Sequence, residues 1–569
     1  MKQLHIKIVA FLLLLQGTGC SSFLDRDIVT SLQEKDVLPS YTYARNRVTA
    51  VYSMLRAGFN EIDGAMIASA GDEAEHTLET SSIHRFHTGE WDAFSNPDNV
   101  WGNHYQAIRL ANQYLATKDE IDLDYLKHNP AQQATYEAYL AELKRWENEV
   151  RFLRAYFHFE LLKRYGGVPI VTKVYELGDD ASGIKRNTFA EVVQFIVDEC
   201  DAIAPDLPVI TADADLGRAT RGAALALKSR ALLYAASDLY NNTSWAGGYA
   251  HPEYIAMPNG DRTARWQAAA NAAKAVIDLA GANYALHNSY QTLFRTFNSS
   301  EIIFTRRQAA NNTFEIANYP IGYDRGQSGT TPSANLVDMF EVKVNTTTTV
   351  PFDWNNPAHA ANPYANRDPR LAFNVLTNNT SFKGRNVEIW TGGLDGKGRD
   401  QATRTGYYLR KYVDPNINLV NNTTSVHTWI FIRLGEIYLN YAEAINEADL
   451  GNTEIAKDYV DRIRQRPTVA MPALPTGLTQ EQMREHIRQE RQVELAFEGH
   501  RIWDVRRWMI ATATLGTSLK GVDITRVGTD FTYTPVTVES RTFQPKMYFY
   551  PIPQQELQKL DGTPQNPLW

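Results

Sequence analysis

Apolar side chains recur at helical spacing through most of the chain. Trp101, Tyr105, Ile108, Asn112 and Leu115 are separated by four, three, four and three positions, so they share one face of a helix. Comparable stripes predict further helices and therefore a mainly α fold. These helices run over roughly 41–58, 133–165, 217–240, 264–280, 429–446, 453–465 and 479–510, and another begins after Thr188.

Two helix boundaries carry clear signals. The 133–165 pattern stops at Gly166-Gly167, and Pro169 cannot continue a helix because it lacks an amide hydrogen. Glu191 follows Thr188 by three positions, which is the spacing of a capping box at a helix N-terminus.

A repeat pattern indicates how the helices pair. Phe431, Leu434, Gly435 and Tyr438 fit the start of a tetratricopeptide repeat, W-x2-L-G-x2-Y, with Phe in place of Trp. The segment at 266–273 is a looser match. A small residue among large ones lets a partner helix approach closely, so we expect tetratricopeptide-like helical pairs stacked as a superhelical scaffold.

The character of the chain changes between about 281 and 428. Gly, Pro, Asn and Thr become frequent, as in 345–350 and 355–370, and short apolar pieces such as 301–304 predict small strands. Binding residues are often carried by long loops on a rigid scaffold. We predict one domain over 41–569, with a helical scaffold at about 41–280 and 429–510 and a loop-rich, mixed ligand-binding insert at about 281–428.

The first residues have the pattern of an export signal. Two lysines precede an apolar run at 8–15, which is too short to span a bilayer. Small residues then lead to Cys20, as in a bacterial lipobox, although Gly17 stands where Leu is typical. We predict a signal peptide at 1–19, lipidation of Cys20, and a tether at 20–40 that holds the protein on a membrane through its lipid. The alternative is an ordinary signal peptide with an incidental cysteine.

Charge and cysteine content exclude several classes of protein. The net charge of −8 provides no basic footprint for nucleic acid. Cys20 and Cys200 are the only two cysteines, so neither a disulfide framework nor a cysteine metal site is available. Cys200 falls on a helical apolar stripe and is expected to be buried.

Several stretches, taken in order, resemble the SusD/RagB family of Bacteroidetes outer-membrane lipoproteins over essentially the whole chain. They are FLD (23–25), NVW (99–101), EVRFLRAY (149–156), RYGGVPI (164–170), GRAT (217–220), RDPR (367–370), IRLGE (432–436), ER (490–491), ELAFEGH (494–500), PIP (551–553) and NPLW (566–569), the last with Leu568 where Gly is common. The resemblance implies a helical superhelix with a loop-rich part on top. It also implies a SusC-like TonB-dependent outer-membrane transporter as partner, to which glycans or other nutrients are handed.

Enzyme signatures are missing from the sequence. It contains no His-Glu-x-x-His, no Gly-x-Ser-x-Gly and no Walker A motif, since Lys397 in the glycine-rich stretch 392–398 is followed by Gly. Glu490, Glu494 and Glu498 share one helix face, and two such carboxylates resemble a glycosidase pair. Arginines on the same helix favour ion pairs instead. We predict a non-catalytic protein without a cofactor.

Sugar binding requires flat aromatic faces beside polar groups, and loop residues are the natural candidates. The aromatic candidates are Trp91, Tyr319, Tyr323, Trp354 and Trp390, and the polar candidates are Asp72, His84, Arg85, His87, Asp324 and Arg325. The two histidines match no firm metal-ligand spacing, so we predict no metal site.

The family resemblance, together with these candidates, implies a cell-surface protein that binds oligo- or polysaccharides and passes them to its transporter. Two alternatives stay open. One is the capture of peptides for the same kind of transporter, and the other, less favoured, is an exo-acting glycosidase.

Overall fold

The computed structural model describes residues 37–176, 178–180, 183–281, 283–560 and 562–569. The predicted signal peptide, Cys20 and most of the predicted tether lie outside these ranges. No helix in the described ranges is both long and apolar enough to cross a bilayer.

Nine helices of at least twelve residues form the scaffold in the described residues, and each packs against its neighbours in chain order. The mainly α fold with a loop-rich insert is therefore confirmed. The helices are α1 (Tyr41–Ser53), α2 (Trp101–Thr117), α3 (Gln133–Tyr165), α4 (Phe189–Ile203), α5 (Arg221–Ala236), α6 (Arg262–Ala280), α7 (Leu434–Ala448), α8 (Thr453–Arg464) and α9 (Gln480–Glu494).

The predicted helix boundaries near α3 and α4 are confirmed. Thr188 and Glu191 form the capping box that begins α4. Gly166 follows α3 with a φ of 76°, and a Cβ there would lie 2.3 Å from the carbonyl oxygen of Tyr254. Only glycine satisfies both constraints. Cys200 lies fully buried in α4, as predicted.

Two predicted helices differ from the structure. Residues 428–433 form a strand buried on both faces, so α7 begins only at Leu434. The helix predicted over 479–510 ends at Glu494, because Phe497 takes a φ of 62° and donates its amide hydrogen to Glu73. The chain resumes in a short helix at Arg501–Arg507. Neither interruption is visible as a local break in apolar periodicity.

Twelve short strands pair in six antiparallel two-stranded sheets within the described residues. The partners are β1 (Ala74–His76) with β3 (Thr330–Pro332), β2 (Ile302–Arg307) with β10 (Thr428–Arg433), β4 (Val342–Lys343) with β5 (Thr349–Val350), β6 (Val375–Leu376) with β9 (Tyr408–Leu409), β7 (Ser381–Phe382) with β8 (Arg385–Asn386), and β11 (Ser518–Val527) with β12 (Asp530–Ser540).

The longest of these pairs is a hairpin that our sequence analysis missed. Strands β11 and β12 run antiparallel, and Val527 lies opposite Asp530 across the turn. Gly528 takes a φ of 66° there. The hairpin packs against the insert through the short helix Ala334–Val337 and through Pro357–Ala361.

Short helices complete the connections between these elements. They are Arg85–Thr88, Asp124–Lys127, Tyr290–Leu293, Thr313–Asn318, Ala334–Val337, Pro357–Ala361, Arg370–Asn374, Arg501–Arg507, Ala511–Leu515 and Gln554–Leu557. Five of them lie in the insert at 281–428, which contains no longer helix in its described part.

A buried ion network ties the insert to the scaffold. Glu494 at the end of α9 accepts hydrogen bonds from Arg370 of the insert (2.9 Å), from Arg433 of β10 (2.8 Å) and from Arg466 after α8 (2.8 Å). Glu301, just before β2, binds both Arg433 and Arg466. Such groups are tolerated in a core only when each charge is paired and hydrogen-bonded. The network therefore fixes where the insert sits on the helices.

Candidate functional site

Asp72 and His87, both predicted ligand-binding residues, face the interior. Asp72 is 6% exposed, and its carboxylate accepts two hydrogen bonds from Arg501, at 2.9 and 2.8 Å. His87 is also buried, with its Nε2 bonded to the carbonyl of Ser69. Burial lowers the pKa of His87 to about 4. The Asp72–Arg501 pair therefore ties the loop region 59–97 to the short helix at Arg501–Arg507, whereas the bond of His87 to Ser69 lies within that region.

His84 and Arg85 lie at the surface of the same region. The Nε2 of His84 is 3.1 Å from the carbonyl oxygen of Leu78, and exposed Arg85 donates to Ser95. Phe94, which our sequence analysis did not select, is 82% exposed. Of the candidates in this region, His84 and Arg85 are the ones open to a ligand.

The fold brings His84 and His87 close to Glu539 of β12. One ligand atom from each of the three side chains lies within 4.8 Å of the others. The carboxylate of Glu539 also accepts a hydrogen bond of 2.7 Å from Arg541. Sequence spacing did not indicate this group, because Glu539 lies far along the chain. The carboxylate is thus engaged with a cation of the protein itself.

Trp91 is buried rather than open at the surface. It is 2% exposed, and its ring packs against Trp569 at 4.7 Å, Phe86 at 5.1 Å and Tyr550 at 5.1 Å. Its faces are covered in this conformation, which leaves no face for a sugar ring. The covering rings of Trp569 and Tyr550 come from the C-terminal end, so the local sequence could not reveal them.

Tyr319 and Tyr323 are buried as well, whereas their polar neighbours are not. The hydroxyl of Tyr319 donates to backbone carbonyls at Asp414 and Ile417, and that of Tyr323 donates to the carbonyl of Phe382 (3.1 Å). Asp324 and Arg325 are exposed. The tyrosines therefore support a wall of the insert, and Asp324 and Arg325 face solvent.

Trp354 and Trp390 are half-buried and keep part of each ring at the surface. The Nε1 of Trp354 donates to Asp338 at 3.1 Å, which fixes the orientation of the indole. Trp390 packs against Phe531 of the hairpin at 5.2 Å, and the guanidinium of Arg526 lies 5.2 Å from its ring.

Partly exposed aromatic rings follow the side of the hairpin that faces the insert. Phe531 and Tyr533 point to the same side of β12 because side chains alternate along a strand. Phe531 contacts Trp390, and Tyr533 contacts Tyr364 at 5.4 Å. We call this surface the hairpin face and define it by Tyr364, Trp390, Phe531 and Tyr533. It combines flat rings with fixed polar groups.

A second concave feature lies within the insert and is called the basic pocket here. Its cavity is about 220 Å³, many times the roughly 15 Å³ that one water needs. The wall contains four cationic and five aromatic side chains. These are Arg295, Lys383, Arg410 and Lys411 with Tyr290, Phe294, Phe373, Phe382 and Tyr412.

The three glutamates that resembled a glycosidase pair are buried in ion pairs. Glu490 and Glu494 are 2% and 0% exposed, and Glu498 binds Arg433 and Lys411. Neighbouring arginines lower the pKa of Glu494 to about 2 against the opposing effect of burial. A general acid needs a raised pKa and access to substrate. Burial raises the pKa of Glu490, but its carboxylate is held by Arg370 and Arg464.

Two family models match most of the chain. Residues 300–569 match the model of the SusD family, and residues 34–233 match a model described as starch-binding associating with outer membrane. The curated SusD-like protein P2 of Formosa agariphila is 23% identical over 425 residues, which cover 73% of this chain and 72% of that protein.

Solved structures show the same fold over nearly the full length. A SusD-like protein from Bacteroides fragilis aligns with a TM-score of 0.77 and 27% identity, covering 94% of this chain and 99% of that one. A SusD-like carbohydrate binding protein from the same species has a TM-score of 0.72 and 24% identity, with 92% and 98% covered.

Proposed function

Since the chain belongs to the SusD/RagB family, we propose that it binds oligo- or polysaccharides at the cell surface, without catalysis, and delivers them to a SusC-like TonB-dependent outer-membrane transporter. The observation that carries this proposal is the hairpin face, where half-buried rings are held in fixed orientations beside polar side chains.

The chemistry of the hairpin face suits a pyranose. The apolar side of a sugar ring packs on an aromatic face, and the hydroxyl edge requires hydrogen-bonding groups. Trp390 supplies a partly open ring, and the guanidinium of Arg526 lies over that ring, 5.2 Å from its centre. Trp354, a half-buried ring of the insert, is a further stacking contact in this proposal, and because Asp338 orients it, little rotamer freedom is lost when a ligand binds. His84, Arg85, Asp324 and Arg325 are further polar contacts in this proposal.

We further propose that the protein is anchored through a lipid on Cys20. The support is the lipobox-like sequence and the family description, which names association with the outer membrane. Two or more acyl chains are needed for stable anchoring, and an N-terminal lipoprotein cysteine provides them.

Binding is tested by affinity electrophoresis of protein beginning at Ser21 in gels that contain different polysaccharides. We expect one class of glycan to retard the protein. Trp390→Ala should abolish most of the retardation, because stacking on that ring is removed. The matched control is Trp245→Ala, since Trp245 is also half-buried but packs against Tyr548 at 5.2 Å rather than against the hairpin.

The two variants separate the possible outcomes. Loss of retardation in Trp390→Ala alone supports binding at the hairpin face. Equal loss in both variants would assign the effect to damaged folding, which their melting temperatures report. If no polysaccharide retards the unaltered protein, glycan binding is refuted and peptide capture for the transporter becomes the leading function.

A further inference from the structure

The basic pocket contains one arginine whose charge is not paired. Arg410 makes no ion pair within the described residues, and its guanidinium donates a hydrogen bond of 3.0 Å to the carbonyl oxygen of Ala372. The side chain is half-buried and lines the cavity. Partial desolvation of a guanidinium that keeps unused hydrogen-bond donors costs free energy unless an anion accepts from those donors.

The other three cations of the pocket have carboxylate partners, but none of these carboxylates lines the cavity. Lys411 binds Glu498 at 2.7 Å. Lys383 lies 3.7 Å from Asp324, and Arg295 lies 4.0 Å from Asp414. The partners therefore approach from outside the lining, and no acidic side chain is part of the wall.

The positive charges of Arg410 and Arg295 repel each other. Burial lowers the pKa of Arg410, and the positive charge of Arg295 lowers it further. Arg295 is exposed and lines the same cavity. An anion bound between the two guanidinium groups would replace this repulsion with attraction. The concentration of positive charge is local, since the whole chain carries a net charge of −8.

Aromatic rings form the rest of the wall. Phe373 is half-buried, and Phe382, the last residue of β7, also lines the cavity. Phe382 is supported from behind by Tyr319 at 5.6 Å and Tyr323 at 5.2 Å. The two tyrosines that the sequence suggested as ligand contacts thus support this wall. Rings beside cations suit a sugar that carries an anionic group.

We propose that the basic pocket binds the anionic substituent, a carboxylate or a sulfate, of an acidic sugar unit, with Arg410 and Arg295 as the charged donors. Guanidinium groups pair with both oxyanions through two parallel hydrogen bonds. The proposal rests on the proposed glycan-binding function and adds a ligand class to it. The hairpin face then contacts the neutral part of a glycan, and the basic pocket selects glycans that carry a negatively charged substituent.

The test uses small probes, so that it does not depend on the hairpin face. Protein beginning at Ser21 is titrated in ligand-observed NMR with three methyl hexosides: a uronide, a 6-sulfate and the neutral sugar. We expect one or both acidic probes to bind more tightly than the neutral probe. Raising the salt concentration from about 50 to about 300 mM should weaken that binding because exposed charges are screened.

Arg410→Gln should weaken acidic-probe binding about tenfold or more, the loss expected for a charge-assisted hydrogen bond. Its amide can still donate to the carbonyl of Ala372, so the melting temperature should change little. Arg307→Gln is the matched control, because it removes the same charge from an exposed arginine that contacts Phe297 outside this pocket.

The probes distinguish the sources of negative charge. Binding of the uronide alone assigns the pocket to carboxylates, and binding of the 6-sulfate alone assigns it to sulfate. The proposal is overturned if all three probes bind equally, if none binds, or if Arg410→Gln behaves like Arg307→Gln. Any of these results is compatible with polysaccharide retardation by the hairpin face, so the two proposals fail separately.

Discussion

The ion network around Glu494 should make a single carboxylate essential to stability. Glu494 is fully buried and accepts hydrogen bonds from Arg370, Arg433 and Arg466. Its pKa falls from 4.5 to about 2. One pKa unit corresponds to about 1.4 kcal/mol, so the ionised form contributes about 3 kcal/mol to the free energy of unfolding at neutral pH. Glu494→Gln should cost about this much, because it leaves buried arginines without their counter-charge.

The direction of the pKa shift fixes how the effect of Glu494→Gln on stability should vary with pH. A carboxyl with a depressed pKa stabilises the fold above the unfolded value of about 4.5 and loses that contribution as pH falls towards about 2. The difference between Glu494→Gln and the unaltered protein should therefore be largest near pH 7 and should shrink below pH 4.5.

Urea unfolding followed by circular dichroism between pH 3 and 7 measures this difference. The control is Glu485→Gln on the same helix, since the side chain of Glu485 is 67% exposed and pairs only with Arg488 in the described structure. It should shift the free energy of unfolding by less than about 0.5 kcal/mol. If Glu494→Gln matches this control at pH 7, or if its effect does not depend on pH, the network does not hold the insert as described.

Three further outcomes are expected. Trp91→Ala should lower the free energy of unfolding by about 3–5 kcal/mol, measured by urea denaturation, because it empties a packed aromatic cluster; a fully stable variant that has lost glycan binding would contradict its burial. Burial raises the pKa of Glu73 to about 8, so the unaltered protein should lose stability as pH rises from about 4.5 to 8. Glu73→Gln, which keeps an acceptor for the amide of Phe497, should melt higher than the unaltered protein at pH 9 and equally at pH 4. Cys20→Ala should abolish labelling by radioactive palmitate, whereas continued labelling would place the lipid elsewhere.

The periodicity of apolar residues was sufficient to predict the scaffold helices, because the signals that begin and end a helix are local in sequence. The caps of α4 and α3 depend on residues within a few positions, and the structure has both as predicted. The apolar run at 428–433 was misassigned for the opposite reason. Its partner strand β2 lies more than a hundred residues earlier, and pairing over that distance leaves no local trace. The hairpin β11–β12 could have been found from the alternation Asp530-Phe531-Thr532-Tyr533.

The candidate site was predicted less completely than the fold. The sequence alone identified loop aromatics, and one of them, Trp390, lies on the hairpin face. Whether a loop ring is open or covered depends on distant segments, as Trp569 covers Trp91. In the same way, Phe531 and Tyr533 became candidates only because β12 folds against the insert.

By itself, the amino-acid sequence determined the helical class and the family. Each of these rests on spacings or motifs that are short compared with the chain. The tertiary structure alone decided which charges are paired and which remain open. The sequence already favoured ion pairs for Glu494 with arginines of its own helix, but its partners are Arg370, Arg433 and Arg466, which come from three separate segments. Arg295 and Arg410 could not be recognised as a pair from the sequence. The fold places both in the wall of one cavity, and no carboxylate belongs to its lining.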